Sequence, residues 1–436
     1  MNTKTTAALL AAMISAGAGM AQTIEFDWIG DGIAGTSISG DGTVIAGNII
    51  DDNSYETFRW VEGDATHTRL GRATVPVLGT GAGTPDVSDD GTRVSATILN
   101  TAETLATFGL WTEGSGWAIQ DATPVAPDAN QLDSSIASVW GLSGDGEHVT
   151  GFYWTGGKAR PTTWSPSGGA VGLERRTPTS SARVNCSNYD GSVVAGWSEN
   201  PGGTWQPTVW VNGAITVLDT TDGGIDEIYG VNADGTVLVG ESYDLNTLTH
   251  VATVWCWDGA QWNAQKLGTL PNTAQGTGRS IATSVSADGS VIVGTNYFTF
   301  NGPFSNATGF IWTAEGGMQD IETMLADAGY SVPAGYDLFG LDDISADGTT
   351  IVGNASFIAN PWIPGAFRIR LIPACFADCD GNGVLNVDDI DCFVAAFLGA
   401  DLEGADCDAN GVLNVDDIDC YVASFIGGCG GSTGGD

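Results

Sequence analysis

The chain repeats an Asp-Gly pair seven times, and this repeat limits the possible folds more than any other feature of the sequence. The pairs begin at positions 41, 90, 145, 190, 234, 288 and 347, at steps of 49, 55, 45, 44, 54 and 59 residues. Each pair separates two short apolar segments, as in VSADGSVIVG at 285–294. Glycine in the left-handed conformation closes a tight hairpin between two strands. A repeat of this length built from short strands is typical of a β-propeller or another repeat array.

A third predicted strand follows each hairpin and carries a tryptophan in six of the seven repeats. These tryptophans are Trp60, Trp111, Trp164, Trp210, Trp255 and Trp312. Their common position predicts that they pack within the blades. A looser fourth strand comes next, for example AITVLD at 214–219 and GMQDIE at 317–322. The sequence therefore predicts repeats of four strands.

The seventh repeat differs from the others in its last two strands. Its third strand, FRIRLI at 367–372, has Ile369 in place of tryptophan, and no fourth strand follows it. The segment IEFDWIG at 24–30 resembles the missing strand. We therefore predict a mainly β fold, a seven-bladed β-propeller over residues 22–372 whose last blade is closed by the N-terminal strand, which removes open sheet edges. A solenoid is the alternative, because it would produce the same repeat without this exchange of strands.

The composition changes sharply near Pro373, where we place the start of a second domain over residues 373–436. The last 62 residues contain 13 acidic residues, no lysine or arginine, and six of the eight cysteines of the chain. Two nearly identical segments lie there, CDGNGVLNVDDIDCFVAAF at 379–397 and CDANGVLNVDDIDCYVASF at 407–425. The tail is therefore an internal duplication.

Each copy places oxygen-bearing residues at the spacing of a 12-residue calcium-binding loop. The candidate metal ligands are Asp378, Asp380, Asn382, Val384, Asn386 and Asp389 in the first copy, and Asp406, Asp408, Asn410, Val412, Asn414 and Asp417 in the second, with both valines acting through their carbonyl oxygens. Gly383 and Gly411 stand at the sharp turns. The sequence therefore predicts two Ca²⁺ ions, with aspartate at the twelfth position where a full EF-hand has glutamate.

After each loop the apolar residues change to helical spacing. Ile390, Phe393, Val394 and Phe397 occupy positions i, i+3, i+4 and i+7, and so do Ile418, Tyr421, Val422 and Phe425. Gly399 and Gly427 are candidate helix ends. Each copy is thus predicted as one loop followed by one helix, a small α domain with two calcium loop–helix repeats.

The six cysteines of the tail are candidates for disulfide bonds in an oxidising compartment. They are Cys375, Cys379, Cys392, Cys407, Cys420 and Cys429, and six cysteines permit about 15 pairings. Four of them recur at equivalent positions of the two copies, while Cys375 and Cys429 bracket the module. We favour a bridge between Cys375 and Cys429, with symmetric bridges among the other four.

Two parts of the chain resemble known families. The pattern VSADGSVIVG followed by FIWTAEGGMQDI at 310–321 is similar to the HAF repeats of secreted bacterial proteins, a family that implies no fixed activity. The two loop–helix copies resemble a type I dockerin, and with GGCGG at 427–431 they look like the GC-type dockerin. That resemblance implies calcium-dependent binding to a cohesin module through two near-equivalent faces. The helices lack the lysine and arginine that many dockerins present there, and the linker, IPA at 372–374, is short.

The net charge and the N-terminal segment limit the classes of binding partner and the cellular location that we expect. Aspartate plus glutamate number 52 against 14 lysine plus arginine, a formal net charge of −38, which opposes binding to nucleic acid or to an anionic membrane. Residues 1–21 have the pattern of a secretory signal peptide, with Lys4 before a short apolar segment and small residues near Ala21. No other segment suits a membrane span. We therefore expect a secreted protein, extracellular or on a bacterial cell surface.

The sequence identifies no catalytic residue. His67, His148 and His250 lie in different repeats without metal-ligand spacing, and Cys186 and Cys256 are expected to be buried thiols. A propeller can gather acids such as Asp133, Glu174, Asp226 or Glu227 at one mouth, but the sequence does not select among them. Tryptophans outside the repeated position are candidates for stacking on sugars. These are Trp117, Trp154, Trp197, Trp205 and Trp262.

Three functions are consistent with these features. The first is a secreted, non-enzymatic propeller that binds a glycan or a protein and is anchored to an assembly by a dockerin–cohesin interaction. The second is a polysaccharide-degrading enzyme, a glycosidase or lyase, with a propeller catalytic domain on the same anchor. The third makes the tail a calcium-stabilised cap that binds only its own propeller, which the short linker would allow.

Overall fold

The computed structural model describes residues 23–51, 54–72, 83–121, 132–155, 157–218, 226–300, 306–372, 377, 379, 386–399, 405, 407 and 412–427. Within these residues, 28 strands form seven four-stranded blades around one central axis. A single parallel bridge between Ala106 and Ile136 joins the second and third blades into one sheet. In six of the blades the strands follow chain order from the centre outwards. The mainly β, seven-bladed propeller predicted from the repeat is confirmed.

The first four blades follow one another along the chain. Blade 1 contains β2 (Ile33–Ile38), β3 (Val44–Asp51), β4 (Ser54–Val61) and β5 (Thr68–Arg69). Blade 2 contains β6 (Asp86–Val87), β7 (Arg93–Leu99), β8 (Ala106–Thr112) and β9 (Gly116–Ile119). Blade 3 contains β10 (Leu132–Leu142), β11 (Val149–Thr155), β12 (Lys158–Ser165) and β13 (Gly169–Gly172). Blade 4 contains β14 (Ala182–Ser187), β15 (Val193–Glu199), β16 (Trp205–Val211) and β17 (Ala214–Val217).

Three further blades complete the ring. Blade 5 contains β18 (Glu227–Val231), β19 (Val237–Asp244), β20 (Thr249–Trp257) and β21 (Trp262–Gly268). Blade 6 contains β22 (Arg279–Val285), β23 (Val291–Tyr297), β24 (Ala307–Thr313) and β25 (Gly317–Asp320). Blade 7 contains β26 (Tyr336–Ile344), β27 (Thr350–Phe357), β28 (Asn360–Ile372) and, from the start of the chain, β1 (Thr23–Asp31).

The N-terminal strand closes the last blade. The strand order in blade 7 is β1-β28-β27-β26, so β1 is the outermost strand. Arg368 donates a hydrogen bond to Asp27 Oδ2 at 2.6 Å, and Phe26 packs on Phe367 with ring centroids 5.5 Å apart. Ile369, which replaces the repeated tryptophan, is fully buried. The predicted exchange of strands is therefore present, and it covers the edge that β28 would otherwise expose.

Each Asp-Gly pair forms the hairpin between the first two strands of its blade. In blade 1, Asp41 Oδ1 accepts hydrogen bonds from Ser39 Oγ at 2.7 Å and from Thr43 N at 3.0 Å. Gly42 has a φ of 73°, and a Cβ atom there would lie 2.6 Å from the Thr350 side chain of blade 7. All seven glycines have positive φ, and all seven aspartates accept the backbone N–H two residues later. The aspartates therefore serve the turns, as predicted.

The repeated tryptophans pack against apolar side chains of the blades. Trp60, Trp164, Trp210 and Trp255 are buried, and Trp111 and Trp312 are partly buried beside apolar clusters. Several of these clusters combine strands of neighbouring blades, for example Phe58 of blade 1 with Val352 of blade 7. The predicted packing role of these tryptophans is confirmed.

Three helices lie in the described part of the chain. Helix α1 (Ile321–Asp327) follows β25, and the Asp320 side chain caps it by accepting a hydrogen bond from Glu322 N at 3.1 Å. Because of this cap, the strand predicted over 317–322 ends two residues earlier. Helices α2 (Val387–Gly399) and α3 (Val415–Gly427) end at the predicted glycines. None of these helices has the length and hydrophobicity that a membrane crossing requires.

The chain divides into two compact units. The larger unit is Phe26–Ile369, and the smaller one includes Arg370–Asp436.

Candidate functional site

The smaller unit repeats one local arrangement at the start of each helix. Asp389, in the first turn of α2, is fully buried, and its Oδ2 accepts a hydrogen bond from Asn386 N at 2.9 Å. Asp417 of α3 is buried in the same way, and its Oδ2 accepts a hydrogen bond from Asn414 N at 2.7 Å. These residues are the ninth and twelfth positions of the two predicted calcium loops. Each loop therefore ends with a buried carboxylate at a helix N-terminus.

The donor set of the loops suits calcium. The structure describes Asn386, Asp389, Val412, Asn414 and Asp417, whereas Asp378, Asp380, Asn382, Val384, Asp406, Asp408 and Asn410 lie outside the described residues. Carboxylate, amide and carbonyl oxygens are ligands that Ca²⁺ prefers, and a buried carboxylate needs a cation or hydrogen bonds to offset its desolvation. Within the described residues no three His, Cys, Asp or Glu side chains are grouped to hold a metal. The two ions therefore stay a prediction.

An aromatic pair joins the two copies. Phe393 of α2 and Tyr421 of α3 stack with ring centroids 3.9 Å apart and planes 8° apart, and both rings are buried. The Tyr421 hydroxyl also lies 3.4 Å from the Ala377 carbonyl oxygen, to which it donates. Partly buried Phe397 and Phe425 extend this small core. The copies therefore fold against each other through equivalent helix positions.

A disulfide bond links the loop to the helix within each copy. Cys379 pairs with Cys392, and Cys407 pairs with Cys420, each with Cα atoms 5.8 Å apart. The pairing is symmetric between the copies. Cys375 and Cys429 lie outside the described residues, so the bridge between them stays a prediction. Because so small a core contributes little stability, cross-links of this kind are an important part of it.

Each helix also leaves a stripe of apolar side chains exposed. The exposed stripe comprises Val387, Ile390, Val394 and Leu398 in α2, and Val415, Ile418, Val422 and Ile426 in α3. Leu398 and Ile426 are each 80% exposed. Helical spacing had grouped Ile390 and Val394 with Phe393, but α2 meets α3 through a narrow face and only Phe393 of the three is buried. The same positions are exposed in both copies, so the surface is duplicated.

In the larger unit, the innermost strands of all seven blades surround a central cavity of about 350 Å³. Its mouth is ringed by the residues that precede the aspartates of the Asp-Gly pairs. These are Gly40, Asp89, Gly144, Tyr189, Ala233, Ala287 and Ala346. Their backbone groups form a closed belt of hydrogen bonds of 2.9 to 3.3 Å from blade to blade, with Asp145 N replacing Gly144 N as one donor. The belt fixes the backbone positions of the two larger residues of the mouth, Asp89 and Tyr189.

Among the described residues, four carboxylates line the cavity, and two of them accept hydrogen bonds from neighbouring blades. The lining acids are Asp86, Asp89, Asp342 and Asp343. Asp86 accepts hydrogen bonds from Ser37 Oγ of blade 1 at 2.5 Å and from Leu142 N of blade 3 at 2.7 Å. Asp343 accepts hydrogen bonds from Ile38 N at 2.9 Å and from Ser284 Oγ at 2.6 Å. Burial, together with the charge of Asp343, raises the pKa of Asp86 and that of Asp342 to about 7.

An ion-pair network lies beside the cavity in blades 4, 5 and 6. Arg183 pairs with Glu227, and Arg279 pairs with Glu241. The Tyr229 hydroxyl donates to Glu227 Oε2 at 3.1 Å and lies 3.4 Å from Glu241 Oε1. Burial raises the pKa of Glu241 to about 8 and the pKa of Tyr229 well above its usual range. Because both glutamates are almost fully buried, the network supports the blades and presents no open carboxylate to a substrate.

Most of these inner residues could not be identified from the sequence. Arg183, Tyr229 and Arg279 had no distinguishing pattern, because each is a single polar residue on an innermost strand. Only Glu227 had been singled out. The two residues of each ion pair come from different blades, which are distant in the sequence. No local sequence motif therefore indicates that they meet.

Among the residues whose side chains are described, the acids and histidines singled out from the sequence do not meet at one mouth. Asp226 Oδ1 lies 3.7 Å from His250 Nε2, and burial lowers the pKa of His250 to about 4. Glu174 is exposed and accepts a hydrogen bond from Ile215 N at 3.2 Å. The side chain of Asp133 lies outside the described residues. His67 packs on Phe58, with ring centroids 5.2 Å apart, and His148 packs against Gly191. Of these acids and histidines, only Asp226 and His250 lie close together within the described residues.

The structure shows that one of the five tryptophans predicted as candidates for stacking on sugars is not available. Trp197 is buried, and Trp205 stacks on it with ring centroids 4.1 Å apart, so Trp197 cannot serve as a platform for a sugar. Trp117, Trp154, Trp205 and Trp262 are partly exposed. Of the free thiols, Cys186 is buried and Cys256 is partly buried, and burial raises the pKa of both.

Comparison with solved structures supports the fold. The chain is similar to an oligogalacturonate lyase from Vibrio parahaemolyticus, at 11% identity, with a TM-score of 0.51 over 81% of this chain and 98% of that one. It is also similar to a β-propeller domain from Myceliophteria thermophila, at 12% identity, with a TM-score of 0.50 over 80% of this chain and 99% of that one. A TolB structure from Acinetobacter baumannii matches at 14% identity and a TM-score of 0.37 over 54% of this chain, which spans 56% of the TolB chain.

No protein-family model matches the chain, and no curated protein matches it. At these identities the structural likeness shows the β-propeller fold alone.

Proposed function

We propose that this chain is a secreted, non-enzymatic β-propeller scaffold held in an extracellular or cell-surface assembly by its C-terminal unit, which binds a cohesin-like module when calcium is present. The observation that carries the proposal is the exposed stripe, which recurs at the same positions of α2 and α3. Exposed apolar surface of this kind marks interaction sites. Two equivalent stripes give two equivalent binding faces, as the resemblance to dockerins implies.

Calcium has a defined part in this proposal. The six candidate ligands of each loop would hold one ion, which neutralises the carboxylates and fastens the loop to the helix N-terminus. The orientation of the exposed stripe then depends on the ion. Asp389 and Asp417 support this role, because both carboxylates are buried at the base of the helices.

The surroundings of the stripe indicate the chemistry of the partner. Asp388, Asp391 and Asp419 are exposed on the same helices, and the tail has no lysine or arginine. A partner that fits has an apolar surface with a basic rim, because opposite charges at a rim speed association and exclude wrong partners. A folded protein module meets this description better than a glycan does.

The rival proposal is a polysaccharide-degrading enzyme with the propeller as its catalytic domain. One of the similar structures is a lyase that acts on oligogalacturonate. An oligogalacturonate is a polyanion, whereas the described lining of this cavity has four carboxylates and no lysine, arginine or histidine. Like charges oppose entry of such a substrate. Product release from a panel of acidic and neutral polysaccharides would favour the enzyme over the scaffold.

A capture experiment with matched variants tests the proposal. The full mature chain is immobilised and exposed to the envelope and secreted proteins of its own organism, with calcium or with a chelator. Variants Val394→Asp and Val422→Asp each place a charge on one stripe, the double variant changes both, and Val171→Asp changes an exposed valine of blade 3.

We expect a partner that is retained only with calcium. Because the two stripes are equivalent, each single variant should bind within about twofold of wild type, and the double variant should lose at least about tenfold in affinity. Val171→Asp should bind normally. No partner under either condition would contradict the proposal and favour the tail as a cap on its own propeller. Equal capture by the double variant would also contradict it.

A further inference from the structure

The hairpin between the second and third strands of blade 7 has an exposed apolar tip. Ile358 in the turn is 60% exposed, and Trp362 and Ile363 near the start of β28 are 68% and 38% exposed. No other described tryptophan is as exposed as Trp362. Exposed aliphatic and aromatic side chains grouped in this way mark interaction sites. The hairpin belongs to the larger unit, so it has no part in the proposed anchoring.

Aromatic contacts and a hydrogen bond hold the base of this hairpin. The rings of Tyr336 in β26 and Phe357 in β27 have centroids 5.2 Å apart. Trp28 of β1 meets the Tyr336 ring edge-on, with centroids 4.8 Å apart. The backbone N–H of Ile358 donates a hydrogen bond to the Gly335 carbonyl oxygen at 2.8 Å. A surface that is already ordered loses less conformational entropy when it binds, so the tip suits a folded partner.

An exposed carboxylate lies on each side of the hairpin. On one side, Asp337 of β26 is paired with Ser356 near the end of β27. On the other side, Asp31 ends β1, and the adjacent Gly32 N donates a hydrogen bond to the Pro364 carbonyl oxygen of β28 at 2.8 Å. Both aspartates are exposed. The apolar tip is therefore flanked by two carboxylates.

The described residues around the tip supply no positive charge. The segments 28–31, 330–337 and 356–364 contain no lysine, arginine or histidine. Complementary charges across an interface steer association and exclude wrong partners. The surface is therefore complementary to an apolar surface with a positively charged rim.

Three other occupants fit this surface less well. A second copy of the chain, with its formal net charge of −38, or an anionic membrane would bring further negative charge to the tip. A glycan would stack on Trp362, but Ile358 and Ile363 offer it no aromatic face. Apolar side chains beside lysine or arginine are a combination that protein surfaces provide.

We propose that the tip of blade 7 docks a protein partner whose contact surface combines apolar side chains with lysine or arginine. Trp362 and the two isoleucines contact the apolar side chains, and Asp31 and Asp337 pair with the basic ones. Because β1 supplies Asp31 and is the outermost strand of this blade, the surface is complete only when the N-terminal strand is in place. The tip does not use calcium or the exposed stripe, so this proposal and the proposed anchoring stand or fall separately.

Selection from a random-peptide phage library tests the proposal. Phage that bind the immobilised Trp362→Ala variant are removed first, and the remainder are selected on the full mature chain. Both steps use calcium and about 0.15 M salt, which screens exposed charges. We expect a consensus sequence that combines apolar residues with lysine or arginine. The consensus peptide is then synthesised, and its affinity is measured by fluorescence anisotropy with calcium and with a chelator.

Variants that the selection does not use separate the tip from the rest of the acidic surface. The peptide should bind at least about fivefold more weakly to Ile358→Ser, which removes an apolar contact, and about threefold more weakly to Asp337→Asn, which removes a charge. Trp257→Ala changes an exposed tryptophan of blade 5, and Asp64→Asn changes an exposed aspartate beyond the end of β4 in blade 1. Both controls should leave the affinity unchanged, and so should the chelator.

Five results would overturn the proposal. Recovery of no peptide would leave the tip without this role, and a consensus without lysine or arginine would contradict the predicted chemistry. Unchanged affinity in Ile358→Ser and Asp337→Asn would place the peptide elsewhere. Loss of binding with the chelator would make the contact depend on the calcium loops. Displacement of the peptide by a neutral polysaccharide such as dextran would assign the tip to a glycan.

Discussion

Phe393 and Tyr421 stack face to face with ring centroids 3.9 Å apart, and this contact joins the two C-terminal repeats into one core. Among the described residues this core has few other apolar side chains, because the remaining apolar side chains of both helices are partly or fully exposed. A single aromatic pair therefore contributes a large share of the stability of the smaller unit.

Replacing Tyr421 with alanine should destabilise the C-terminal unit while leaving the propeller nearly unchanged. Removal of a buried aromatic ring costs about 3 kcal/mol or more in the free energy of unfolding. Differential scanning calorimetry should show the transition of the smaller unit at a lower temperature. Val422→Ala, which shortens an exposed neighbour, is the control and should have little effect. Equal shifts of both transitions would contradict independent unfolding of the two units.

Removal of calcium should destabilise the same unit first. An ion that binds only the folded loop stabilises it by mass action, by about 4 kcal/mol per site at a thousandfold excess over the dissociation constant. Chelator should therefore lower the thermal midpoint of the smaller unit, and Asp389→Asn should do the same when calcium is present. Asp388→Asn alters an adjacent exposed aspartate that is not a predicted ligand, and it should leave the midpoint unchanged. A midpoint insensitive to chelator would contradict the calcium prediction.

Two glycines with positive φ should differ in their tolerance of alanine. A left-handed alanine costs roughly 1–2 kcal/mol at either position. At Gly235, whose φ is 75°, the new Cβ atom would also lie 2.6 Å from Val193 Cγ2 of the preceding blade. At Gly259, whose φ is 93°, no atom lies within 4 Å. The overlap at Gly235 is overpacking, which typically lowers the free energy of unfolding by a further 1–3 kcal/mol, roughly.

The thermal midpoint of the propeller should therefore fall clearly more in Gly235→Ala than in Gly259→Ala. Equal effects would mean that the backbone conformation alone requires glycine in the Asp-Gly hairpins.

The pH dependence of propeller stability should change when Asp342 becomes asparagine. Burial raises the pKa of Asp342 from 3.8 to about 7, so the folded state binds this proton more tightly than the unfolded state does. The free energy of unfolding therefore falls as the pH rises from about 4 to about 7, and the loss is complete above about pH 7. A shift of this size corresponds to at most about 4 kcal/mol. Because solvent in the cavity reaches the side chain, we expect a loss of about 1–2 kcal/mol.

Asp342→Asn should thus be more stable than wild type at about pH 8 and equal to it below about pH 4. Chemical unfolding at several pH values measures this difference. Asp64→Asn, with its exposed side chain, should follow the wild-type curve. Parallel curves for wild type and Asp342→Asn would show that Asp342 does not titrate in this range.

The repeat architecture follows from local chemistry and could therefore be read from the sequence. The backbone conformation of each hairpin requires glycine at Gly42 and its six counterparts. Each Asp-Gly pair in the sequence therefore marks one turn. The missing fourth strand of the last repeat and the strand-like segment at 24–30 predicted the closure of the ring. The ends of helices α2 and α3 were also predictable, because Gly399 and Gly427 mark them locally.

The tertiary structure alone decided which side chains meet. Arg183, Glu227, Glu241 and Arg279 come from blades 4, 5 and 6, and Asp89 and Tyr189 come from blades 2 and 4. Helical spacing places Ile390 and Phe393 on the same apolar face of α2. Only Phe393 is buried, because the partner helix covers only part of that face. The sequence by itself determined the turns, the strands and their number, since these depend on interactions within a few residues. The cavity, its charge and the exposed stripes depend on which distant surfaces are brought together, and only the folded chain sets that.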